Sequence, residues 1–211
     1  MAHVAIVDYG TGNVSSIARM LAPLGASHVY TSDPAELQAA THLVMPGVGH
    51  CRRAMETMRE RGTLEVLQDL AITRRMPVLG ICLGMQLMTS YSEESDSECL
   101  GWFSARTMQL RPSDTRRLKV PNIGWHVVRK QALPSVFEGI PLDQTPFYFC
   151  HKYAVAAKNV DGQVADFAYG DRYVAALQRD NVVGVQFHPE KSQAAGLQLM
   201  RNFLQLEPAD V

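Results

Sequence analysis

The stretch His3-Val4-Ala5-Ile6-Val7-Asp8 is almost wholly apolar, as a strand is when both faces of its sheet are covered. Behind it, Val14, Ile17, Ala18 and Leu21 fall at i, i+3, i+4 and i+7, which predicts a helix that Gly25 closes. The alternation continues. Ser27–Tyr30 and His42–Met45 read as short strands, and 33–40, 51–59 and 64–73 as helices. Met76–Ile81 (MPVLGI) is a further buried strand, and a helix is expected over 83–91. This order argues for an α/β fold, a parallel sheet with helices on both faces. In the second half, 107–110, 125–129, 147–151, 164–169, 173–178 and 182–187 all read as strands joined by short turns. Some antiparallel pairing is therefore expected there. A last amphipathic helix spans 194–204 through Leu197, Met200 and Leu204. The polar loops 92–98 and 111–119 are expected at the surface, and residues 208–211 are expected to fray.

Composition bounds the function. The chain has 211 residues, 46% hydrophobic and 19% charged, which is globular and large enough for a full core. Net charge is −1. Residues 1–105 carry 7 Lys and Arg against 11 Asp and Glu, and residues 106–211 carry 13 against 10. That asymmetry is too mild for a polyanion partner, so nucleic acid is not expected. No membrane segment is expected either. Asp8 interrupts any leader core, and the longest apolar stretch, Leu79–Met88, is short and broken by Gln86. Cysteines at 51, 82, 99 and 150 form no CxxC, so a cytoplasmic chain with reduced thiols is expected. No His pair has zinc-type spacing, so no metal is expected.

The sharpest motif is Gly80-Ile81-Cys82-Leu83-Gly84, at a strand-to-helix junction. A G-x-nucleophile-x-G pattern puts a side chain on a tight turn at a strand's carboxyl end. The glycines let the backbone bend, and the helix N-terminus offers free N–H groups to an anion. A buried core cysteine is the commoner fate of this residue, and the two bracketing glycines argue against it. A nucleophilic Cys needs a base and something to orient that base. Gln186-Phe187-His188-Pro189-Glu190-Lys191-Ser192 offers both, since His188 sits at another strand's end and Glu190 can fold back to its imidazole. A plain surface loop, with Ser192 capping the last helix, is the alternative.

GICLGMQ (Gly80–Gln86) and QFHPEKS (Gln186–Ser192) resemble the class I, triad-type glutamine amidotransferases. Further pieces resemble the glutaminase subunits of imidazole glycerol phosphate synthase: VAIVDYGTGNV (Val4–Val14), Pro46-Gly47-Val48-Gly49, Ser92-Glu93-Glu94-Ser95, PNIGW (Pro121–Trp125) and FYFCH (Phe147–His151). The resemblance implies a flavodoxin-like three-layer α/β fold with a central mixed, largely parallel sheet. It implies one domain over 1–206, a short tail at 207–211, and no cofactor.

The resemblance also implies roles. Cys82 attacks the side-chain amide of L-glutamine and forms a thioester, with His188 as base and Glu190 as its orienting partner. Oxyanion donors come from Leu83 and the Gly47-Val48-Gly49 loop. Gln86 and Glu94 hold the substrate, Glu94 at its α-ammonium. Ammonia then passes to a (βα)₈-barrel cyclase in a heterodimer, where imidazole glycerol phosphate and the aminoimidazole carboxamide ribotide form. Tyr9, Gly10, Asn13, Trp125 and Lys191 match positions that face the cyclase.

Departures stand beside the matches. His50 and Cys51 follow PGVG where small or apolar residues are more usual. Lys152 stands where Ser is common, and Asn122 and His126 where His and Asn are common. A paralogue that supplies ammonia to an amidino-sugar synthase of surface polysaccharides is the alternative reading. A catalytically silent scaffold and a cysteine peptidase are further rivals, opposed by the intact triad and by Gln86 with Glu94. The segment Gly10–Ser15 with Asp33 resembles a dinucleotide fingerprint but lacks its third glycine. Cys150, in an apolar strand, is expected to be inert, and the basic residues 116, 117, 119, 129 and 130 to form a solvated face, with cyclase docking as the alternative.

Overall fold

The computed structural model describes residues 2–10, 13–130, 134–158 and 160–207. The expected fraying of 208–211 lies outside them. The chain runs β1 (His3–Val7), α1 (Val14–Leu21), β2 (Ser27–Thr31), α2 (Pro34–Ala39), β3 (His42–Met45), α3 (Cys51–Glu60), α4 (Thr63–Gln68), β4 (Val78–Ile81) and α5 (Leu83–Leu87). Then follow β5 (Thr89–Ser92), β6 (Ser97–Glu98), β7 (Phe103–Gln109), β8 (Asn122–Val127), β9 (Arg129–Lys130), β10 (Pro146–His151), β11 (Tyr153–Val155), β12 (Gln163–Tyr169), β13 (Asp171–Arg179), β14 (Val182–Val185) and α6 (Gln193–Phe203).

The central sheet has the order β2-β1-β3-β4-β14-β13-β12-β9. Its first five strands are parallel and the rest antiparallel. The sheet is thus mixed, and parallel where βα units supply the strands. Strand alternation splits the core into two layers. Val4, Ile6, Val44 and Leu79 face one cluster with Ile17, Leu21, Leu199 and Phe203. Ala5, Val7, Leu43 and Val78 face the other, with Met55, Met58 and Leu67. Both faces are covered, which is why these strands read as continuous apolar runs.

Three central strands end together. Met45 of β3 pairs with Gly80 of β4, and Ile81 of β4 with Val185 of β14. Their carboxyl ends deliver the loops that start at Pro46, Cys82 and Gln186 to one place, where α/β sheets hold ligands. Two smaller sheets close over it, β10-β8 and β11-β7-β5-β6.

The structure corrects the expected helix over 83–91. It stops at Leu87, and Thr89–Ser92 forms a strand beside β7. Thr89 Oγ1 donates to Gln86 O at 2.8 Å. The Leu87 and Met88 carbonyls accept from Leu100 and Phe103. Tertiary pairing takes the groups a helix would have used. The loop 92–98 is also not simply exposed, because Ser92 and Ser95 are buried and β6 pairs with β5. Asp33 accepts from Ala35 N at 2.7 Å as the cap of α2, which removes it as a ribose ligand.

Helix α6 packs tightly on the turn at Pro189–Lys191. A Cβ at Gly196 would lie 1.9 Å from Pro189 O. Gly196→Ala is therefore expected to destabilise the chain by about 1–3 kcal/mol, seen as a lower midpoint in chemical denaturation. An unchanged midpoint contradicts this packing.

Candidate active site

Cys82 is the elbow between β4 and α5, with φ 49° and ψ −100°. L residues rarely adopt this geometry, and holding it costs about 1–3 kcal/mol. Close packing enforces it. A Cβ on Gly47 would fall 2.0 Å from Ile81 O, and one on Gly84 2.2 Å from Met45 O. The Pro46–Gly49 loop therefore crosses directly against the elbow, and only glycine fits at either position. Leu83 and Gly84 begin α5, so their N–H groups have no partner within the helix.

His188 follows β14 and is 2% exposed. Its Nδ1 donates to Glu190 Oε1 at 2.8 Å, and Asn13 Nδ2 donates to the same oxygen at 2.6 Å. The ring's other nitrogen is left for Cys82, with which the side chain also hydrogen-bonds. Burial opposes a charge on His188. The bonds and charges of Cys82 and Glu190 overcome that and push its pKa up to about 10. The turn is held from behind. Ser192 Oγ donates to His188 O at 2.7 Å and accepts from Tyr148 N at 3.0 Å. Ser192 thus braces the base rather than capping α6 with its side chain.

Two supporting groups escaped the reading of the sequence. Gln186 is fully buried, and its Nε2 lies 3.5 Å from Cys82 Sγ. Its Oε1 accepts from Gln86 Nε2 at 3.1 Å, and Gln86 Nε2 also donates to Tyr153 O at 2.9 Å. His151 Nδ1 donates to the same Tyr153 O at 2.8 Å. Burial lowers the His151 pKa to about 4, so the ring is neutral and its Nε2 accepts from Asn122 Nδ2 at 3.1 Å. Asn122 Oδ1 in turn accepts from His126 Nε2 at 2.7 Å. The two positions with His and Asn exchanged are therefore hydrogen-bonded partners, and the exchange is complementary. Gln186 was visible as part of a motif, but nothing in one sequence marks which side of its strand faces the thiol.

A cavity of about 260 Å³ opens beside Cys82, lined in part by Gly47, Gly49, Leu83, Gln86, Glu94 and Lys152. This volume is at the small end for ligand sites and suits a free amino acid better than a nucleotide. Glu94 Oε2 accepts from Cys51 N at 2.8 Å, which holds the carboxylate at the wall. Cys150 lines the same cavity, and its carbonyl faces Cys82 Sγ at 3.9 Å, so it is not remote from the site. Among the described residues no cluster of His, Cys, Asp and Glu could hold a metal.

The residues expected to face a partner divide. Trp125 is 46% exposed and stacks edge-on against Tyr148, with ring centres 5.6 Å apart. Lys191 is exposed over the same Tyr148 ring, and Gly10 is exposed. Asn13 is engaged with Glu190. Tyr9 is fully buried and its hydroxyl donates to Pro46 O, so its role is to pin the Gly47 loop.

A cysteine on a strand-to-helix elbow, a histidine held by a buried carboxylate and a small cavity stand together, and proteins of one class match the chain. Residues 5–206 match the family model for glutamine amidotransferase class-I. The chain is 42% identical to imidazole glycerol phosphate synthase subunit HisH of Yersinia pseudotuberculosis, covering 96% of this chain and 99% of that one. It is 38% identical to subunit HisH 2 of Pseudomonas aeruginosa, again covering 96% and 99%. Its fold matches PurLQS from Thermotoga maritima with TM-score 0.70 at 16% identity, covering 97% and 98%. The chain belongs to the class-I glutamine amidotransferases. Within that class it falls in the family of imidazole glycerol phosphate synthase subunits HisH.

The raised pKa of His188 has a sign. The stability it contributes is fully present below about pH 6.5 and is lost as pH rises through about 10. Glu190→Gln removes one of the supporting charges. The imidazole titration followed by NMR is expected to move to a lower midpoint, and an unmoved midpoint contradicts the role of Glu190.

Proposed function

We propose that this chain hydrolyses L-glutamine to glutamate and ammonia through a thioester on Cys82, and passes the ammonia to a (βα)₈-barrel cyclase in a heterodimer. The acceptor chemistry is then that of histidine biosynthesis, in keeping with the relatives' names. Residues 1–206 act as one catalytic unit. The observation that carries the reading is the single buried line from Glu190 through His188 to Cys82, beside a cavity of amino-acid size.

The steps follow from the geometry. His188 holds the thiol proton, and the Cys82 sulfur adds to the amide carbon of glutamine. The oxyanion meets the Leu83 N–H and the Gly47-Val48-Gly49 loop; a donor of this kind is worth about 10²–10³ in rate. His188 returns the proton to the departing nitrogen, and ammonia leaves. It then takes a proton from water, which attacks the thioester and releases glutamate. Glu190 fixes the tautomer throughout. Gln86 shapes the floor of the pocket, Glu94 pairs with the substrate's α-ammonium, and Lys152 on the same wall suits its α-carboxylate. Exposed Ile123, Trp125 and Val127 on β8 form an apolar face, joined to Lys191 through the Tyr148 ring, where the partner docks.

Cys82→Ala is expected to abolish glutamine-dependent synthesis by the complex while leaving the ammonia-dependent rate intact. An equal fall in both refutes the division of labour. Glu94→Gln is expected to raise the KM for glutamine by roughly tenfold or more, with a smaller effect on kcat, because it removes ground-state binding. A fall confined to kcat contradicts that role.

A further inference from the structure

Cys51 and Cys99 lie outside the triad, yet their sulfurs are 3.3 Å apart across 48 residues of sequence. Cys51 starts α3, two residues after Gly49. Cys99 directly follows β6, and its N–H donates to Ser90 O at 3.2 Å. The same two segments meet twice more. Cys51 N donates to Glu94 Oε2 at 2.8 Å, and Arg52 Nη2 donates to Ser95 O at 2.5 Å.

We propose that Cys51 and Cys99 form a reversible disulfide, and that closing it draws Glu94 away from the glutamine pocket.

The chemistry divides between the two thiols. Cys51 is fully buried, whereas Cys99 reaches solvent. The hydrogen bond from Cys99 favours the thiolate at Cys51 and holds the proton on Cys99. Cys99 therefore meets the oxidant, a small-molecule disulfide such as oxidised glutathione. It passes its proton to the Cys51 thiolate beside it, attacks one sulfur and releases one glutathione thiolate, which takes that proton back from Cys51. Cys51 thiolate then attacks the Cys99 sulfur of the mixed disulfide and expels the second. Two protein thiols are oxidised, one glutathione disulfide is reduced, and the two released thiolates take up the two protons.

Closure has a mechanical consequence. A disulfide is about 2.05 Å long, so the sulfurs must approach by more than an ångström. Cys51 is anchored by α3, whose Ala54, Met55 and Met58 are buried. The two-residue β6 and the turn before it yield more easily, and Glu94 rides on that turn. Reducing surroundings keep the pair open and the pocket formed. This second half rests on Glu94 as the substrate anchor.

The test uses the full chain with its synthase partner in glutathione buffers of graded reduced-to-oxidised ratio. Samples are quenched, alkylated, digested and mapped by mass, and glutamine hydrolysis is read in parallel. A peptide linked through Cys51 and Cys99 is expected at oxidising ratios, with a fall in rate of roughly tenfold or more that dithiothreitol reverses. Cys99→Ser is expected to keep the reduced-state rate and lose the sensitivity. Absence of the linked peptide at every ratio overturns the proposal. So does a linked peptide with an unchanged rate, or a Cys99→Ser chain as sensitive as the parent, which would locate the effect at Cys82. A reduced chain that hydrolyses no glutamine refutes the glutaminase reading and the Glu94 half with it, while the linked peptide still decides the thiol chemistry.

Discussion

The hydrogen bond from His188 Nδ1 to Glu190 Oε1 is the constraint on which the site depends. It joins two groups that are each almost fully buried, and neither charge is affordable there alone. Together with Cys82 they form a line in which each group makes the next one tolerable. That line exists because β4 and β14 lie side by side, parallel and in register, so that Cys82 and His188 emerge from adjacent strands. A slip of one residue in either strand would turn the thiol or the imidazole into the core.

Much of the surrounding structure serves to hold that line. Glycines at 47, 84 and 196 each mark a place where backbone approaches backbone too closely for a side chain. Tyr9 ties down the loop that carries Gly47, Asn13 supplies a second donor to Glu190, and Ser192 braces the His188 carbonyl. On the other side, hydrogen bonds run from His126 through Asn122 and His151 to the Tyr153 carbonyl. That carbonyl also takes Gln86, which reaches Gln186 and so the Cys82 sulfur. The carbonyl fixes the His151 tautomer, and the rest of the chain follows from it.

The sequence made the βα half legible because its strands are covered on both faces and its helices show an unbroken apolar stripe. Cys82 and His188 were legible for a related reason, since Cys82 directly follows such a strand and His188 comes three residues after the end of another. What it hid depends on contacts between distant segments. Thr89–Ser92 continues a helical pattern, and only its pairing with β7 and β6 makes it a strand. Tyr9 carries a polar tip that suits an interface, yet Pro46 O satisfies that tip inside the core. Asn122 and His126 looked like independent departures until the fold put them in contact. Cys51 and Cys99 gave no signal at all, because 48 residues separate two thiols that the fold brings together.

The central claim is that glutamine becomes covalently attached to Cys82 during turnover. It is tested most directly by quenching the chain in acid while it hydrolyses glutamine in the presence of its synthase partner, then mapping the peptides by mass. The account predicts a glutamyl group on the peptide that contains Cys82, removed by hydroxylamine and absent from Cys51, Cys99 and Cys150. Glutamate accumulating with no adduct at Cys82, or with an adduct on another cysteine, would contradict it.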